Sequence, residues 1–451
     1  MVLAPNLSSL IWVLVMKNIF YLICIFLLTS CSSEPSWYQP TGSAAGVPED
    51  TEQSFEEYVE SSRQNIERVL SEHRFINGES PYVGNYSLAE VVDMRSPFQL
   101  PVNSAQLCSN KERGAGKGFL LIHGLTDSPY LLKGLANSIA QQNPCALIRA
   151  VLLPGHGTVV GDTLNMKYQD WQAITQYGVN SFNALQHIDS VYLVGFSTGT
   201  ALAIKHSAQL ATDTKVKGLI LLSTALKASS DLAWLTTYIK GVKPWLDQKI
   251  ERDAARYSSF SANAGSQFYQ LTKNLSDEEY QTQLPVLMVL SSDDATVNAQ
   301  ASREYFCDSV SNKRKLLLWY KGFAQPSATH CAGVVEIERQ PLTQSYKGDA
   351  YQYANLAHTG VPVSPDDAHY GVKGVYRDCK AYEQEGDDSL WLQCMQDNSS
   401  TIFAEKNIAE LEQVLNNEMW RRGTFNKDYQ QLLQAITCFV QSECKLESIQ
   451  Y

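Results

Sequence analysis

The sequence predicts an α/β fold built on a mostly parallel, doubly wound sheet. Short apolar runs typical of buried strands alternate with segments of helical periodicity along most of the chain. The 451 residues are 44% hydrophobic, which is enough for a large core. A strand, a sharp turn and a helix meet at Ser197. Ligands of such sheets bind beyond the carboxyl ends of the strands, so we expect the functional site at that edge.

The stretch around Ser197 is the most informative part of the chain. Residues 191–194 are predicted as a buried strand, and residues 200–206 are predicted as a helix. Between them, Gly195-Phe-Ser-Thr-Gly199 fits the pattern G-x-S-x-G. In this context the pattern holds the serine in a strained turn and exposes its hydroxyl at the edge of the sheet. We therefore expect Ser197 to be a nucleophile rather than part of a purely structural turn.

Further buried strands are predicted at residues 118–122, 146–153, 218–223, 285–290 and 313–320. His123-Gly124 follows the first of these strands directly. A tight turn there would point backbone N–H groups into the cleft above the sheet. The N–H groups of Leu125 and Thr198 are the candidates for an oxyanion hole. The competing interpretation is an ordinary loop in which His123 caps the turn.

The N-terminal residues are typical of an export signal. Lys17 precedes the apolar run 19–28, which ends in Leu-Thr-Ser-Cys31. The final cysteine resembles a bacterial lipoprotein signal, so residues 1–31 are predicted as a lipoprotein signal segment and Cys31 as the lipidated residue. The run is too short to span a membrane by itself. The apolar stretch at residues 10–15 leaves two alternatives open, a true start at Met16 or a longer membrane anchor.

Four further segments complete the predicted organisation. Residues 32–52 form a flexible tether, and residues 53–117 hold an amphipathic helix at Phe55–His73 followed by early strands. Residues 118–451 form the main domain. It carries a mostly helical cap insertion at about 225–284, whose aromatic residues could line an acyl pocket. A helical tail without a chemical role is expected beyond Tyr376.

Charge and cysteine content narrow the class of partner and cofactor. The net charge is −11 and no basic block occurs, so nucleic acid is not expected as a partner. Eight cysteines lie outside the predicted signal, and an even number in an exported chain indicates disulfides. Their connectivity is open; Cys379–Cys394 and Cys438–Cys444 are hypotheses. The cysteine spacings do not resemble zinc sites, and no metal is expected.

Four motifs together resemble the α/β-hydrolase fold family. They are His123-Gly124, Pro154-Gly-His-Gly157, Gly195-Phe-Ser-Thr-Gly199 and Asp294-Ala-Thr-Val297. Their order and separations look like the branch of monoacylglycerol lipases, carboxylesterases and serine aminopeptidases, over about residues 118–375. The resemblance implies an α/β-hydrolase fold and a chain order of nucleophile, acid and histidine. It assigns Ser197 as nucleophile, an aspartate after the strand at Pro285 as acid, and a later histidine as base.

The acid and the histidine each have more than one candidate. Asp294 is favoured as the acid because Val297 completes the family's Asp-x-x-Val pattern, and its neighbour Asp293 is interpreted as a solvated or capping residue. His358 is favoured as the base because it follows a plausible strand. The alternatives are His330 and His369. His123 and His156 come too early in the chain and are interpreted as turn and loop-packing residues.

The resemblance implies a serine hydrolase that works through an acyl-enzyme and needs no cofactor. Carboxylic esters of lipid, monoglyceride or lysophospholipid type are the favoured substrates, because Cys31 would hold the enzyme at a membrane. The alternatives are an aminopeptidase-type amide hydrolase of the same fold and a non-catalytic lipoprotein binding module. Ser32-Ser33 does not resemble an inner-membrane retention signal, so the periplasmic face of the outer membrane is expected in a diderm bacterium. The oligomeric state is left open.

Overall fold

A computed structural model describes most of the chain. The described residues are 34–43, 46–48, 53–102, 116–210, 215–275, 280–323, 331–384, 386–397, 401–405, 409–415 and 418–441. The predicted signal segment with Cys31, parts of the predicted tether, and His330, Cys108 and Cys444 therefore lie outside the described residues.

The described strands are short, and most are strongly apolar. They are β1 Phe98–Leu100, β2 Lys117–Ile122, β3 Leu147–Val151, β4 Ser190–Phe196, β5 Val216–Leu222, β6 Trp245–Asp247, β7 Phe260–Ser261, β8 Val286–Ser291, β9 Lys315–Tyr320, β10 Val334–Ile337, β11 Thr343–Tyr346, β12 Asp349–Tyr353, β13 Ile402–Ala404 and β14 Trp420–Arg422.

The described α-helices alternate with the strands through the first two thirds of the chain. They are α1 Phe55–His73, α2 Leu88–Arg95, α3 Tyr130–Gln142, α4 Tyr168–Asn183, α5 Thr198–Ala208, α6 Thr236–Ile239, α7 Ala262–Thr272, α8 Ala299–Asp308, α9 Ser389–Gln396, α10 Ala409–Leu415 and α11 Tyr429–Val440.

The central sheet has eight strands in the order β1-β3-β2-β4-β5-β8-β9-β10. Only β1 pairs antiparallel, against β3, and the other neighbours are parallel. Alternate residues of β2 enter different cores: Phe119 and Leu121 pack with α3 and α11, whereas Leu120 and Ile122 pack with α4 and α5. Both faces of the sheet are thus covered by helices, and the predicted doubly wound fold is confirmed.

Helix α1 has the bounds that the sequence predicts. Ser54 and Glu57 form a capping box, in which the Ser54 hydroxyl accepts from the Glu57 N–H and the Glu57 carboxylate accepts from the Ser54 N–H. The apolar face of the helix, including Tyr58 and Ile66, is buried against the main domain. The helix is therefore part of the folded body.

The cap insertion at residues 225–284 is less helical than predicted. Its described part holds the helices α6 and α7, the two-stranded sheet of β6 and β7, and irregular segments between them. Helix α6 ends at Ile239, shortly before Gly241 and Pro244. Glycine and proline both disfavour helix continuation, and proline also lacks the N–H that a helix needs, so the chain crosses to β6 instead.

The predicted helical tail is only partly helical. Strands β13 and β14 join β11 and β12 in a second sheet of order β11-β12-β13-β14. Both tail strands have three residues, too few for a periodic pattern to show in the sequence. This second sheet supports the segment that leads from β12 to His358.

The described residues include two complete disulfides. Cys307–Cys331 and Cys379–Cys394 are both bonded, and the second of these pairs confirms a predicted connection. Cys145 and Cys438 are also disulfide-bonded. The predicted pair Cys438–Cys444 stays a prediction because Cys444 lies outside the described residues. Within the described part of the chain, no helix is long and apolar enough to cross a bilayer.

The Cys379–Cys394 bond closes a loop with a sequence separation of 15 residues. Closing a loop of that size stabilises the folded state by about 3 kcal/mol, mainly by restricting the unfolded chain. We expect the double variant Cys379→Ala/Cys394→Ala to lose free energy of unfolding on that order in urea titrations of the oxidised protein. An unchanged unfolding midpoint would contradict this expectation.

Candidate active site

Ser197 occupies the junction of β4 and α5 in a strained backbone conformation, with φ 52° and ψ −121°. A serine with positive φ is uncommon and costs free energy unless its surroundings enforce it. Two glycines allow those surroundings to close. A Cβ on Gly195 would lie 2.6 Å from the Gly199 backbone, and a Cβ on Gly199 would overlap the Ile122 carbonyl oxygen. The G-x-S-x-G pattern is therefore required by the packing of α5 onto the sheet.

Three of the predicted site residues meet at the carboxyl edge of the sheet. His358 Nδ1 lies 2.6 Å from Asp294 Oδ2, and His358 Nε2 lies 2.9 Å from Ser197 Oγ. An ionised carboxylate can only accept, so Nδ1 donates to Asp294 and Nε2 is left to accept from the serine hydroxyl. All three side chains are largely buried. This is the hydrogen-bond pattern that a nucleophile, a base and a group orienting the base require.

Backbone N–H groups of the loop after β8 hold the second carboxylate oxygen of Asp294. Asp294 Oδ1 accepts from the Thr296 N–H at 2.8 Å and from the Val297 N–H at 2.9 Å. Neighbouring Asp293 points elsewhere and is only 1% exposed, so the interpretation of this residue as solvated is wrong. Its carboxylate accepts from the Phe323 N–H and from Asn355 Nδ2, which ties the loops after β9 and β12 together.

Of the other two candidate histidines the structure describes His369, whose ring makes its hydrogen bonds to residues other than Ser197. His369 is fully buried away from the serine, with Nε2 donating to Asp253 Oδ1 at 2.9 Å and Nδ1 lying 3.0 Å from the Tyr86 hydroxyl. His330 lies outside the described residues. Of the described candidates, only His358 contacts the nucleophile.

His123 and His156 hold the loop that carries Leu125. His123 Nε2 accepts from the Leu153 N–H at 2.9 Å, and His156 Nε2 accepts from the Thr126 N–H at 3.1 Å. Burial lowers the pKa of His156 to about 4 and that of His123 well below its usual value. Both rings are thus neutral at pH 7, as their acceptor roles require. Their contacts match the predicted turn and loop-packing roles.

Leu125 and Thr198 line the same cavity as Ser197 and His358. Thr198 is the first residue of α5, so its N–H belongs to the first turn and has no partner within the helix. Two chain segments that are far apart in sequence therefore border the cavity at Ser197, and the oxyanion hole formed by their N–H groups stays a prediction.

Three functional neighbours escape sequence reasoning, and two of them lie in the tail that was expected to carry no chemistry. Glu405 Oε2 accepts from the His358 backbone N–H and from Arg422 Nε, each at 3.0 Å. Asn355 bridges Glu405 to Asp293, while Arg422 Nη2 donates to the Thr296 hydroxyl beside Asp294. Glu405 and Arg422 thus hold the loops of His358 and Asp294, a positioning role of the tail that the sequence did not predict. The sequence signal that could have pointed to these residues is a polar side chain at the end of a strand or just after it.

The cavity above Ser197 has a volume of about 590 Å³. The cap contributes its apolar walls, which include Leu235, Ile239, Leu246, Phe260 and Phe268. Charged side chains line another part, namely Asp127, Arg256, Lys380 and Arg422. A cavity with apolar walls and a few polar groups is typical of a site for an organic ligand. No group of three or more His, Cys, Asp or Glu in the described chain is arranged to hold a metal.

Asp127 is an unusual member of this lining. It is 5% exposed, and its carboxylate makes no hydrogen bond or close ion pair with the described residues. Burial raises its pKa to about 6, and the charges of Arg256, His358 and Lys380 oppose that rise. An ionised buried carboxylate without a partner destabilises the fold.

We expect Asp127→Asn to be more stable than the wild type at pH 8. The raised folded-state pKa means that the penalty of ionisation grows as the pH rises from about 4 to about 6 and is complete above that range. It reaches at most about 3 kcal/mol, since a tenfold change in acidity is worth about 1.4 kcal/mol. Urea unfolding at several pH values measures the gain, which should shrink towards pH 4. A gain independent of pH, or a loss at pH 8, would contradict the argument.

Comparison with known proteins supports the fold. The family model described as "Alpha/beta hydrolase family" matches residues 119–366. Similar solved structures include a metagenome-derived lipolytic enzyme (20% identity, 46% of this chain and 84% of that chain, TM-score 0.40). Another is monoacylglycerol lipase from Paleococcus ferrophilus (17% identity, 50% of this chain and 88% of that chain, TM-score 0.38). A third is a soluble variant of monoglyceride lipase from Saccharomyces cerevisiae (13% identity, 50% of this chain and 82% of that chain, TM-score 0.39).

At these identities and TM-scores, the likenesses say nothing about activity. A search of curated proteins finds no match to this chain. The family match rests on different ground, since it covers more than half of the 451 residues and contains Ser197, Asp294 and His358. This chain therefore belongs to the alpha/beta hydrolase family.

Proposed function

We propose that the protein is a serine hydrolase that cleaves carboxylic esters of lipid type. The observation that carries the proposal is the hydrogen-bonded chain Asp294–His358–Ser197, which opens into a cavity with apolar walls. A base within reach of a strained serine, itself oriented by a buried carboxylate, is suited to acyl transfer.

The steps follow from the positions of the atoms. His358 Nε2 takes the proton as Ser197 Oγ attacks the ester carbonyl carbon. Asp294 keeps Nδ1 protonated and stabilises the imidazolium that forms. The N–H groups of Leu125 and Thr198 are proposed to bind the oxyanion. His358 then gives its proton to the departing alcohol. Water attacks the acyl-enzyme with His358 again as base, which releases the acid and frees Ser197.

A lipid acyl chain is favoured by the cap. Its inner side offers apolar side chains to the cavity, as described above. Its outer side exposes Leu232, Trp234, Tyr238 and Val242, of which Val242 is 86% exposed. Leu232 also lines the cavity, and exposed apolar side chains are typical of a surface that meets a partner or a lipid layer. Both features support an ester with a long acyl chain.

Replacement of the proposed catalytic residues tests the mechanism. We expect Ser197→Ala to lower kcat/KM for p-nitrophenyl esters by a factor on the order of 10³–10⁶, and Asp294→Asn to lower it by a factor on the order of 10³–10⁴. His358→Ala should match the serine variant, since the two groups act as a unit. Hydrolysis is followed by p-nitrophenol release across a series of acyl lengths.

Matched controls come from the same elements. Ser207→Ala lies on α5 with the nucleophile, Asp293→Asn neighbours the acid, and His187→Ala lies on the surface. Ser207→Ala and His187→Ala should retain full activity. Asp293→Asn should lose stability rather than chemistry, because its carboxylate joins two loops. No ester turnover by folded wild type, with turnover of aminoacyl amides instead, would favour the peptidase alternative. Failure of a fluorophosphonate probe to label Ser197 would favour the binding module.

We further propose that the mature protein is a lipoprotein, anchored to a membrane through lipidated Cys31. The support is sequence alone, namely the charged start, the apolar run and the terminal Leu-Thr-Ser-Cys31. In a diderm bacterium, the periplasmic face of the outer membrane is the proposed location. This placement would bring the cavity to its lipid esters.

Metabolic labelling with palmitate tests the anchor. The wild-type chain should incorporate label and fractionate with membranes, whereas Cys31→Ala should incorporate none and be released or remain as the precursor. Globomycin should block maturation of the wild type. Cys24→Ala serves as the control, because that cysteine lies inside the predicted signal. Unchanged maturation and membrane association of Cys31→Ala would refute the proposal.

A further inference from the structure

We propose that the charged part of the cavity binds an anionic group, phosphate or carboxylate, on the alcohol portion of the ester. The inference rests on the proposed function and names its substrate class. Three cationic side chains line this part of the cavity: Arg256, Lys380 and Arg422. They come from the cap and the C-terminal part of the chain, which meet above Ser197 only in the folded protein.

The two guanidinium groups are only partly satisfied by the protein. Arg256 donates from Nε to Asp253 at 3.2 Å and from Nη2 to Asp378 at 2.5 Å. Arg422 pairs with Glu405 through Nε to Oε2 and Nη2 to Oε1, each at 3.0 Å, and its Nη2 also donates to the Thr296 hydroxyl. The Nη1 group of each makes no hydrogen bond with the described residues, and neither is among the fully buried atoms that lack a partner. Each arginine is thus positioned by carboxylates and retains donors for a ligand.

Lys380 is the cation with the fewest contacts in this lining. Its ammonium group makes no hydrogen bond and no ion pair within 4 Å among the described residues, although Asp378 and Asp253 are near enough to act on its charge. Burial lowers its pKa. A partly buried cation without a counter-ion is costly, and such groups concentrate at binding sites. The disulfide at the preceding residue, Cys379, fixes its backbone.

The cavity walls decide which portion of the substrate meets the cations. The apolar walls of the cap suit the acyl chain, so the alcohol portion is left to the charged part. Asp127 is the one carboxylate in this lining without a partner, and it lies beside the nucleophile: a Cβ placed on Gly124 would be 2.7 Å from Asp127 Oδ2 and 2.9 Å from Ser197 Cβ. The carboxylates paired with the two arginines, Asp253, Asp378 and Glu405, do not line the cavity. The charged side chains that a ligand would meet are therefore three cations and one carboxylate, which favours an anionic ligand over an amine.

Matched decanoyl esters test the proposal with the full-length protein in detergent. They are 1-decanoylglycerol 3-phosphate, decanoyl glycolate, neutral 1-decanoylglycerol and decanoylcholine. We expect the phosphate or the carboxylate ester to exceed the neutral ester in kcat/KM by at least 10-fold, through a lower KM. The better of the two identifies the anion.

Lys380→Met should lower the ratio of kcat/KM for the anionic ester to kcat/KM for the neutral ester at least 10-fold. Lys380→Arg should restore the preference. Lys373→Met is the control, because that lysine is exposed and paired with Asp349. Equal rates for all four esters, or equal losses of both rates in Lys380→Met, would overturn the inference. A preference for decanoylcholine would overturn it and assign the charged part to a cation held by Asp127.

Binding to an inactive variant separates this inference from the proposed function. Calorimetry with Ser197→Ala should find decyl phosphate bound at least 10-fold more tightly than decyl glyceryl ether, and the added Lys380→Met change should abolish the difference. No ester turnover by wild type would contradict the proposed function while this binding preference stood. Turnover without any binding preference would contradict only the anion site.

Discussion

The close approach of helix α5 to strands β2 and β4 is the constraint on which the site depends. The helix can begin directly at the end of β4 only if Ser197 takes a positive φ, and the chain can pass there only if residues 195 and 199 lack side chains. Strain of this kind costs of order 1–3 kcal/mol per residue. The buried residues of β4 and α5 in the surrounding core offset that cost. The strain holds the serine hydroxyl at the edge of the sheet, where a base can reach it.

His358, the proposed base, comes to Ser197 from a segment far along the chain, and the second sheet holds that segment in place. The chain leaves the central sheet after β10, forms β11 and β12, and returns to Ser197 through Asn355 and His358. A loop of this length would leave the imidazole mobile unless other elements restrained it. Glu405 restrains the backbone of His358, and Arg422 connects the same carboxylate to the loop of Asp294. The second sheet thus positions the proposed base, as the strained turn positions the proposed nucleophile.

These two parts of the site differ in how far the sequence predicts them. The geometry of the turn at Ser197 and of the loop at Asp294 is set locally, by a strand and the residues just after it. Short sequence motifs can therefore reveal both. His358 has a weaker signal, a plausible strand before it, and two other histidines downstream compete for the same role. Glu405, Arg422 and Asn355 have almost none, because their roles arise from pairing between strands of three to five residues. The burial of Asp293 could not be predicted for the same reason, as its partners Phe323 and Asn355 are distant in sequence.

Separation along the chain also explains why the charged residues of the cavity could not be predicted from the sequence. Asp127, Arg256 and Lys380 lie in different segments, and each alone resembles a solvated surface residue. Folding brings them under the cap, where burial raises the pKa of Asp127 and lowers that of Lys380, and neither of these two side chains has a close partner among the described residues. A protein that needed only a stable cavity would replace such groups by apolar ones at little loss. Their presence beside a strained serine supports the proposal that stability is exchanged here for recognition of a charged ligand, as is general for functional sites.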